Sequence, residues 1–480
     1  MGKSKGNNKV IVRAVGMSST SVTGSAYIVE TPTGEKLLLD YGLYQSNRPY
    51  EDFKINSKKP DFKPEELTAI FITHSHADHL SRVPLLVKYG FTGNIYISDK
   101  TIDFLEPLLL DSAKIMERDS FMFSKKLGKN IEPLYSAEDV LNTLPHFRGV
   151  RYDDEIKITD NVSVVFTDAG HVFGSAQLSL FVRTPSNSIK KISFTGDLGS
   201  TTFDNPFVGE FKPIVKTNLL IGEATYNSPS RTVKKEQREK DLEKLESVIR
   251  ETCLEKKSRV LIPVFAYSRT EIILYYLYKI FGNDPTFKIP IIIDSPLAVK
   301  LLKCFEDNLT GKDKEVFDEM LAWKNIKIVK EYEESAAIIK DPAPKVILSS
   351  SGMLTQGRST LYLQEMLPKK DCHIVLCGYQ AEGTVGRKIK DGKYEEIKIN
   401  GKLYKNNANL TVLTSFSGHM DCCSLLNYYT NISNNGAESI LLVHSDENKI
   451  EFKKLLEERV SKIGKTTKII SANRDQVVRI

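Results

Sequence analysis

The chain has 480 residues, a formal charge of +6, 41% hydrophobic and 27% charged residues, which excludes long disordered tracts and allows two or three domains with sizeable cores. The small positive charge is only a mild bias toward anionic partners, and the lysine pairs Lys234-Lys235, Lys256-Lys257 and Lys369-Lys370 read as solvated faces. No run approaches the roughly 18 apolar residues of a membrane span, the start MGKSKGNNKVIVRAVG has neither a signal-peptide core nor, with Gly6, the myristoylation pattern, and six cysteines without a CxxC pair fit a reducing compartment, the cytoplasm.

One pattern recurs along the chain: a β-branched or leucine-rich run that stops abruptly in small, polar or ionisable residues. It is found in KLLLDYG (36–42), AIFITHSHADH (69–79), VSVVFTDAGH (162–171), KISFTGDLG (191–199) and NLLIGEATY (218–226), and again in RVLIPVFAYS (259–268), IPIIIDSPLA (289–298) and KVILSSSGML (345–354). HIVLCGYQ (373–380), LTVLTSFSGH (410–419) and ILLVHSDE (440–447) complete the set. Such runs predict buried strands. QREKDLEKLESVIRETCLEKK (237–257), with Leu242, Leu245, Val248 and Ile249 at helical spacing, predicts a helix, as does EFKKLLEERVSKIG (451–464); the final KTTKIISANRDQVVRI can add an edge strand. Strands alternating with helices predict α/β layers, in which ligand chemistry collects at the carboxyl ends of strands.

FITHSHADHL (71–80) spends three of eight histidines in six positions. Strand alternation turns His74 and His76 to one side as the chain leaves the sheet, with Asp78 and His79 following on a loop. Imidazoles and carboxylates are zinc ligands, and two ions roughly 3.5–4 Å apart can share a carboxylate. His171, Asp197 and His444, at the ends of distant strands, can complete the set. A lone histidine at a strand end is more often a packing residue. Here six of the eight (His74, His76, His79, His171, His419, His444) end strand-like segments, whereas His146 and His373 read as packing residues.

Over nearly its whole length the chain resembles the metallo-β-lactamase superfamily, and within it the β-CASP nucleases. His74, His76, Asp78 and His79 stand at the superfamily signature, and Asp40, His171 and Asp197 at its other motifs. Glu223 in GEATY, His419 in SFSGHMD and His444 in LVHSDE resemble the three motifs particular to β-CASP enzymes. DSPLA (294–298), SSSGML (349–354) and GYQAEGTVGR (378–387) are similar to signatures of the inserted domain.

The resemblance implies an α/β fold, an αββα sandwich interrupted by an inserted α/β β-CASP domain. Its domains would be 1–228 with 409–480 for the metallo-β-lactamase part and 229–408 for the insert. It implies two zinc ions, one on His74, His76 and His171, the other on Asp78, His79 and His444, with Asp197 bridging and Asp40 orienting a ligand imidazole. The implied chemistry is hydrolysis of single-stranded RNA by a hydroxide made between the metals, leaving a 5′-phosphate and a 3′-hydroxyl, with His419 as general acid and Glu223 as its carboxylate partner. His444 favours RNA, since DNA-specific members typically carry valine there. Ser349, Ser350, Ser351, Gly352, Arg269 and Arg358 would bind phosphate. Departures fall at Ala224, Asn227, Ser268 and Glu271, the last where glutamine is common, and GRSTLYL lacks the histidine that often follows its Gly-Arg pair; none touches an implied ligand.

With no N-terminal nucleic-acid module and no long C-terminal extension expected, the chain most resembles the compact bacterial ribonucleases related to the endonuclease subunit of the polyadenylation machinery. A homodimer is the family expectation. The alternatives are a catalytically silent RNA-binding scaffold and a DNA nuclease of the same family. Hydrolases of thioesters, lactams or lactones on this fold lack the insert.

Overall fold

A computed structural model describes residues 9–46, 48–203, 205–445 and 449–480; the start of the chain, including Gly6, and Asp446 and Glu447 of the His444 motif lie outside these. The chain divides into two units, residues 1–202 with 208–232 and 418–480, and residues 203–207 with 233–417.

The first unit has two seven-stranded sheets. One orders its strands Val477–Arg479, Ile11–Ala14, Tyr27–Glu30, Lys36–Leu39, Ala69–Phe71, Asn94–Ser98 and Phe147–Val150. The other runs Lys468–Ser471, Ser439–Val443, Leu219–Glu223, Ile189–Phe194, Ala176–Arg183, Val162–Asp168 and Glu155–Lys157. The alternation of side chains along each strand builds three apolar layers. Leu37, Leu39 and Phe71 from the first sheet meet Val164, Phe166, Leu178, Ile221 and Leu441 from the second. Their neighbours Leu38 and Ile70 turn the other way, onto Leu86, Leu105 and Leu109 of the helices Val83–Lys88 and Ile102–Leu127. Leu220 and Leu442 turn onto Leu425, Tyr429, Phe452 and Leu456 of Cys422–Asn434 and Lys449–Lys462. Helix, sheet, sheet, helix is thus the order of layers.

The second unit is built on a six-stranded sheet ordered Ile326–Ile328, Ile291–Asp294, Lys345–Ser349, Arg259–Pro263, His373–Leu376 and Asn409–Val412, with every pairing parallel. Parallel strands need crossovers, and helices such as Thr270–Phe281, Pro296–Asn308 and Arg358–Met366 supply them. The strand Asn409–Val412, expected above in the resumed first domain, pairs here with His373–Leu376. Lys345–Ser349 and Arg259–Pro263 are adjacent, and the loops that leave them carry Ser350–Gly352 and Arg269.

Three local expectations are refined. The loop expected for Asp78 and His79 is a single helical turn, Ala77–Leu80, and the strand before it ends at Phe71. The 237–257 helix is α-helical over Gln237–Ile249 and widens to a π-helix over Arg250–Glu255. The C-terminal stretch gives two strands, one at an edge of each large sheet. Among the described residues, no helix is long and apolar enough to cross a membrane.

Candidate metal centre

All the strand ends that carry the implied ligands lie in the first unit. Asp40 follows Lys36–Leu39, and His74 follows Ala69–Phe71 in the neighbouring parallel strand. His171 follows Val162–Asp168, Asp197 follows Ile189–Phe194, Glu223 ends its strand, and His444 follows Ser439–Val443. Their ligand atoms gather in three groups, each within 4.8 Å: His74, His76, His171 and Asp197; Asp78, His79 and His444; and Asp197, Glu223 and His419.

Asp197, a member of the first group, also approaches the histidines of the second through its other oxygen. Its Oδ2 lies 3.7 Å from Nε2 of both His74 and His171, and its Oδ1 lies 3.3 Å from His79 Nε2 and 3.4 Å from His444 Nδ1. Oδ1 is buried and, among the described residues, makes no hydrogen bond of acceptable geometry. A buried carboxylate oxygen without a partner is costly. The imidazoles also crowd nitrogen to nitrogen: His74 Nε2 and His171 Nε2 stand 3.0 and 3.3 Å from His76 Nδ1, and His79 Nε2 stands 3.3 Å from His444 Nε2. Lone pairs facing one another at such distances suit a cation between them, so the donor set fits divalent metal ions.

The electrostatics agree. Burial pushes His74 and His171 well below the usual histidine range, and His76 down to about 4, so these rings are neutral donors. Burial also works against charge on His79, but Asp197, Asp40 and Asp78 outweigh it and raise that ring well above its usual value. For Asp197, burial is outweighed by His444, His79 and His419, which hold it well below the carboxylate range. The surplus of carboxylate around His79 calls for positive charge, which a metal ion supplies to the whole group at once.

The protein orients these rings from behind. His79 Nδ1 donates to Asp40 Oδ2 at 2.6 Å, while Asp40 also accepts from Thr73 N at 2.8 Å and Ser25 Oγ at 3.1 Å. His171 Nδ1 donates to the Gly418 carbonyl at 3.0 Å, and Ser175 Oγ accepts from His171 N, also at 3.0 Å. His419 Nδ1 stands 3.3 Å from Glu223 Oε1, which accepts from Leu198 N at 2.6 Å. The His419 side chain is 21% exposed, against 0% for His74 and 5% for His444, so solvent reaches it, as it does the partly buried His76.

Sequence reasoning did not pick out Thr73, Ser175, Thr225 or Tyr429, whose hydroxyl donates to the Glu223 carbonyl at 2.5 Å. Nothing in their spacing marks them. The two histidines read as packing residues each make a structural contact: His146 Nδ1 to the Gly93 carbonyl and His373 Nε2 to Thr411 Oγ1, both 2.9 Å.

The expected phosphate-binding residues lie in the second unit. Ser349 is buried and donates to the Asp294 carbonyl at 2.8 Å, Ser350 Oγ meets Ser295 Oγ at 2.6 Å, and Arg358 forms an ion pair with Asp294 through Nη1. Asp294 Oδ2 also accepts from Ser335 and Tyr362, each at 2.6 Å. Ser351 donates to the Gln356 carbonyl at 3.1 Å, Gly352 packs against Phe265, and Arg269 turns Nη1 back to the Ser268 carbonyl at 2.9 Å.

Comparison with known proteins identifies this arrangement. Residues 20–211 match the metallo-beta-lactamase superfamily and residues 270–389 the Beta-Casp domain. Ribonuclease TTHA0252 of Thermus thermophilus is 31% identical over 440 residues, 90% of this chain and 93% of that one. The chain belongs to the β-CASP branch of the metallo-β-lactamase superfamily. The transcription termination factor FttA of Methanocaldococcus jannaschii is 31% identical over 439 residues, but the chain spans only 65% of its length. Among solved structures, a protein of unknown function from Enterococcus faecalis V583 superposes with a TM-score of 0.53 at 14% identity, covering 98% of this chain and all of that one, and shares the fold.

Proposed function

We propose that the chain is a zinc-dependent ribonuclease that hydrolyses phosphodiester bonds of single-stranded RNA and leaves a 5′-phosphate and a 3′-hydroxyl. The observation that carries this reading is the division of Asp197: one oxygen faces His74 and His171, the other His79 and His444. His74, His76 and His171 would hold one zinc, Asp78, His79 and His444 the other, and Asp197 both. Two such ions lower the pKa of a water and stabilise negative charge on a phosphate oxygen.

The chain's own part is to place and move a proton. Glu223 is fixed by the Leu198 and Thr225 amides, at 2.6 and 3.2 Å, and sets the His419 ring through Nδ1. Nε2 is then the end that gives its proton to the leaving 3′-oxygen as the P–O bond breaks. Ser349, Ser350, Ser351, Gly352, Arg269 and Arg358 we assign to RNA phosphates, through backbone amides and the positive charge of the two guanidinium groups. RNA is favoured over DNA by His444, through the family resemblance, and by the ribonuclease among the relatives. The six free cysteines fit work in the cytoplasm.

The test uses 5′-labelled single-stranded RNA and DNA of the same sequence with the zinc-loaded protein. RNA cut to fragments with 5′-phosphate ends supports the reading. Preferential DNA cleavage, or intact RNA in the presence of fully loaded protein, overturns it.

A further inference from the structure

Four imidazoles of the centre turn Nδ1 toward a protein oxygen: His74 to Thr73 Oγ1 at 3.1 Å, His79 to Asp40, His171 to the Gly418 carbonyl, and His444 to Thr225 Oγ1 at 2.9 Å. A carboxylate or carbonyl can only accept, so it fixes the proton of its histidine on Nδ1. A threonine hydroxyl both donates and accepts. The tautomer of His444 therefore depends on where the Thr225 proton goes.

That proton has an acceptor. Thr225 Oγ1 lies 3.2 Å from the His444 carbonyl in donor geometry. With its one hydrogen spent there, Oγ1 can only accept from His444 Nδ1, and Nε2 keeps its lone pair. Nε2 is the nitrogen that faces Asp78 Oδ2 and His79 Nε2, each at 3.3 Å. The other oxygen near Nδ1 is Asp197 Oδ1 at 3.4 Å, an atom a metal would itself engage.

The backbone supports the same role. His444 adopts φ +49°, a left-handed conformation that a non-glycine residue holds only when its surroundings impose it. Ser18 O accepts from its amide at 2.6 Å, and Thr225 holds its carbonyl. Thr225 is itself anchored, its amide donating to Glu223 Oε2 at 3.2 Å.

We propose that Thr225 is a positioning residue for the second metal: its hydroxyl selects the Nδ1–H tautomer of His444, fixes the ring plane, and so sets the affinity of the Asp78, His79 and His444 position. The proposal rests on the two-metal reading above.

The experiment is zinc titration of the metal-stripped full chain against a chromophoric chelator, for wild type, Thr225→Val and Thr225→Ser. Valine keeps the shape and removes the hydroxyl; serine restores it. The expected result is a second zinc bound about 10–100-fold more weakly in Thr225→Val, the first zinc unchanged, and recovery in Thr225→Ser. Equal weakening of both zincs, a second zinc held as tightly by Thr225→Val as by wild type, or no recovery with serine would overturn the proposal. Failure of wild type to take up two zincs would instead refute the two-metal reading, and shows in that sample alone.

Discussion

His79 and Asp40 are joined by a 2.6 Å hydrogen bond in which the imidazole Nδ1 donates to the carboxylate, and both side chains are buried. The bond fixes the His79 tautomer and places a negative charge behind the ring. Asp40 sits at φ +55°, a conformation asparagine tolerates, so Asp40→Asn tests the charge with little backbone effect. The expected outcome is zinc affinity about 10–100-fold weaker at the His79 position, read by chelator competition. Unchanged affinity would show that the charge behind the ring is dispensable.

His419 touches Glu223 yet belongs to neither group of implied zinc ligands completed by His76 or His79. Its removal should leave metal binding intact while the leaving oxygen loses its proton source. For His419→Ala we expect RNA cleavage to fall about 10²–10⁴-fold with zinc content unchanged by elemental analysis. Zinc loss, or cleavage at the wild-type rate, would refute the role.

Gly42 is required by a close approach. A Cβ there would lie 1.7 Å from the Asp78 carbonyl oxygen and 2.3 Å from His79 N, both backbone atoms. Gly42→Ala should push the Asp78–His79 turn away, cost about 1–3 kcal/mol of stability or more, and weaken zinc at that position. Thermal melts of metal-free protein read the first effect and chelator competition the second.

Glu271, at the start of the helix Thr270–Phe281, is buried, and its Oε1 has no hydrogen-bond partner among the described residues. Burial pushes its carboxyl up to about 8, against partial relief from its own amide, Arg269 and the Ser268 amide. The folded protein thus carries it neutral where the unfolded chain, ionising near 4.5, does not. Its contribution is complete below about pH 4.5 and is lost as pH rises toward 8, by at most about 1.4 kcal/mol per unit. Glu271→Gln should remove that slope, making the variant the more stable protein at pH 8 by chemical denaturation. Parallel wild-type and variant profiles between pH 5 and 8 would contradict this.

Much of this architecture is legible in the chain itself, for identifiable reasons. Each of the eleven runs that end abruptly in polar residues contains a strand; in strands such as Leu219–Glu223 and Arg259–Pro263 burial on both faces demands an uninterrupted apolar run, whereas Val162–Asp168 is buried on alternate residues. Ala176–Arg183 escaped notice since Gln177 and Ser179 interrupt its apolar run. Which sheet a strand joins is not written in its side chains: LTVLTSFSGH places Asn409–Val412 in the insert's sheet and His419 in the first unit. The ligands stand out because histidine is scarce and its spacing distinctive. Thr73 and Thr225 do not, since hydroxyl residues are common and acquire meaning only through tertiary distance. Arg358, expected to bind phosphate, has its Nη1 committed to Asp294, more than sixty positions away, a contact the sequence does not display.

The measurement that reaches the central claim most directly is an anomalous difference map at the zinc edge from a crystal of the reconstituted protein. The account predicts two peaks roughly 3.5–4 Å apart, one against His74, His76 and His171, the other against Asp78, His79 and His444, with an Asp197 oxygen on each. A single peak, peaks elsewhere, or none at saturating zinc would contradict it.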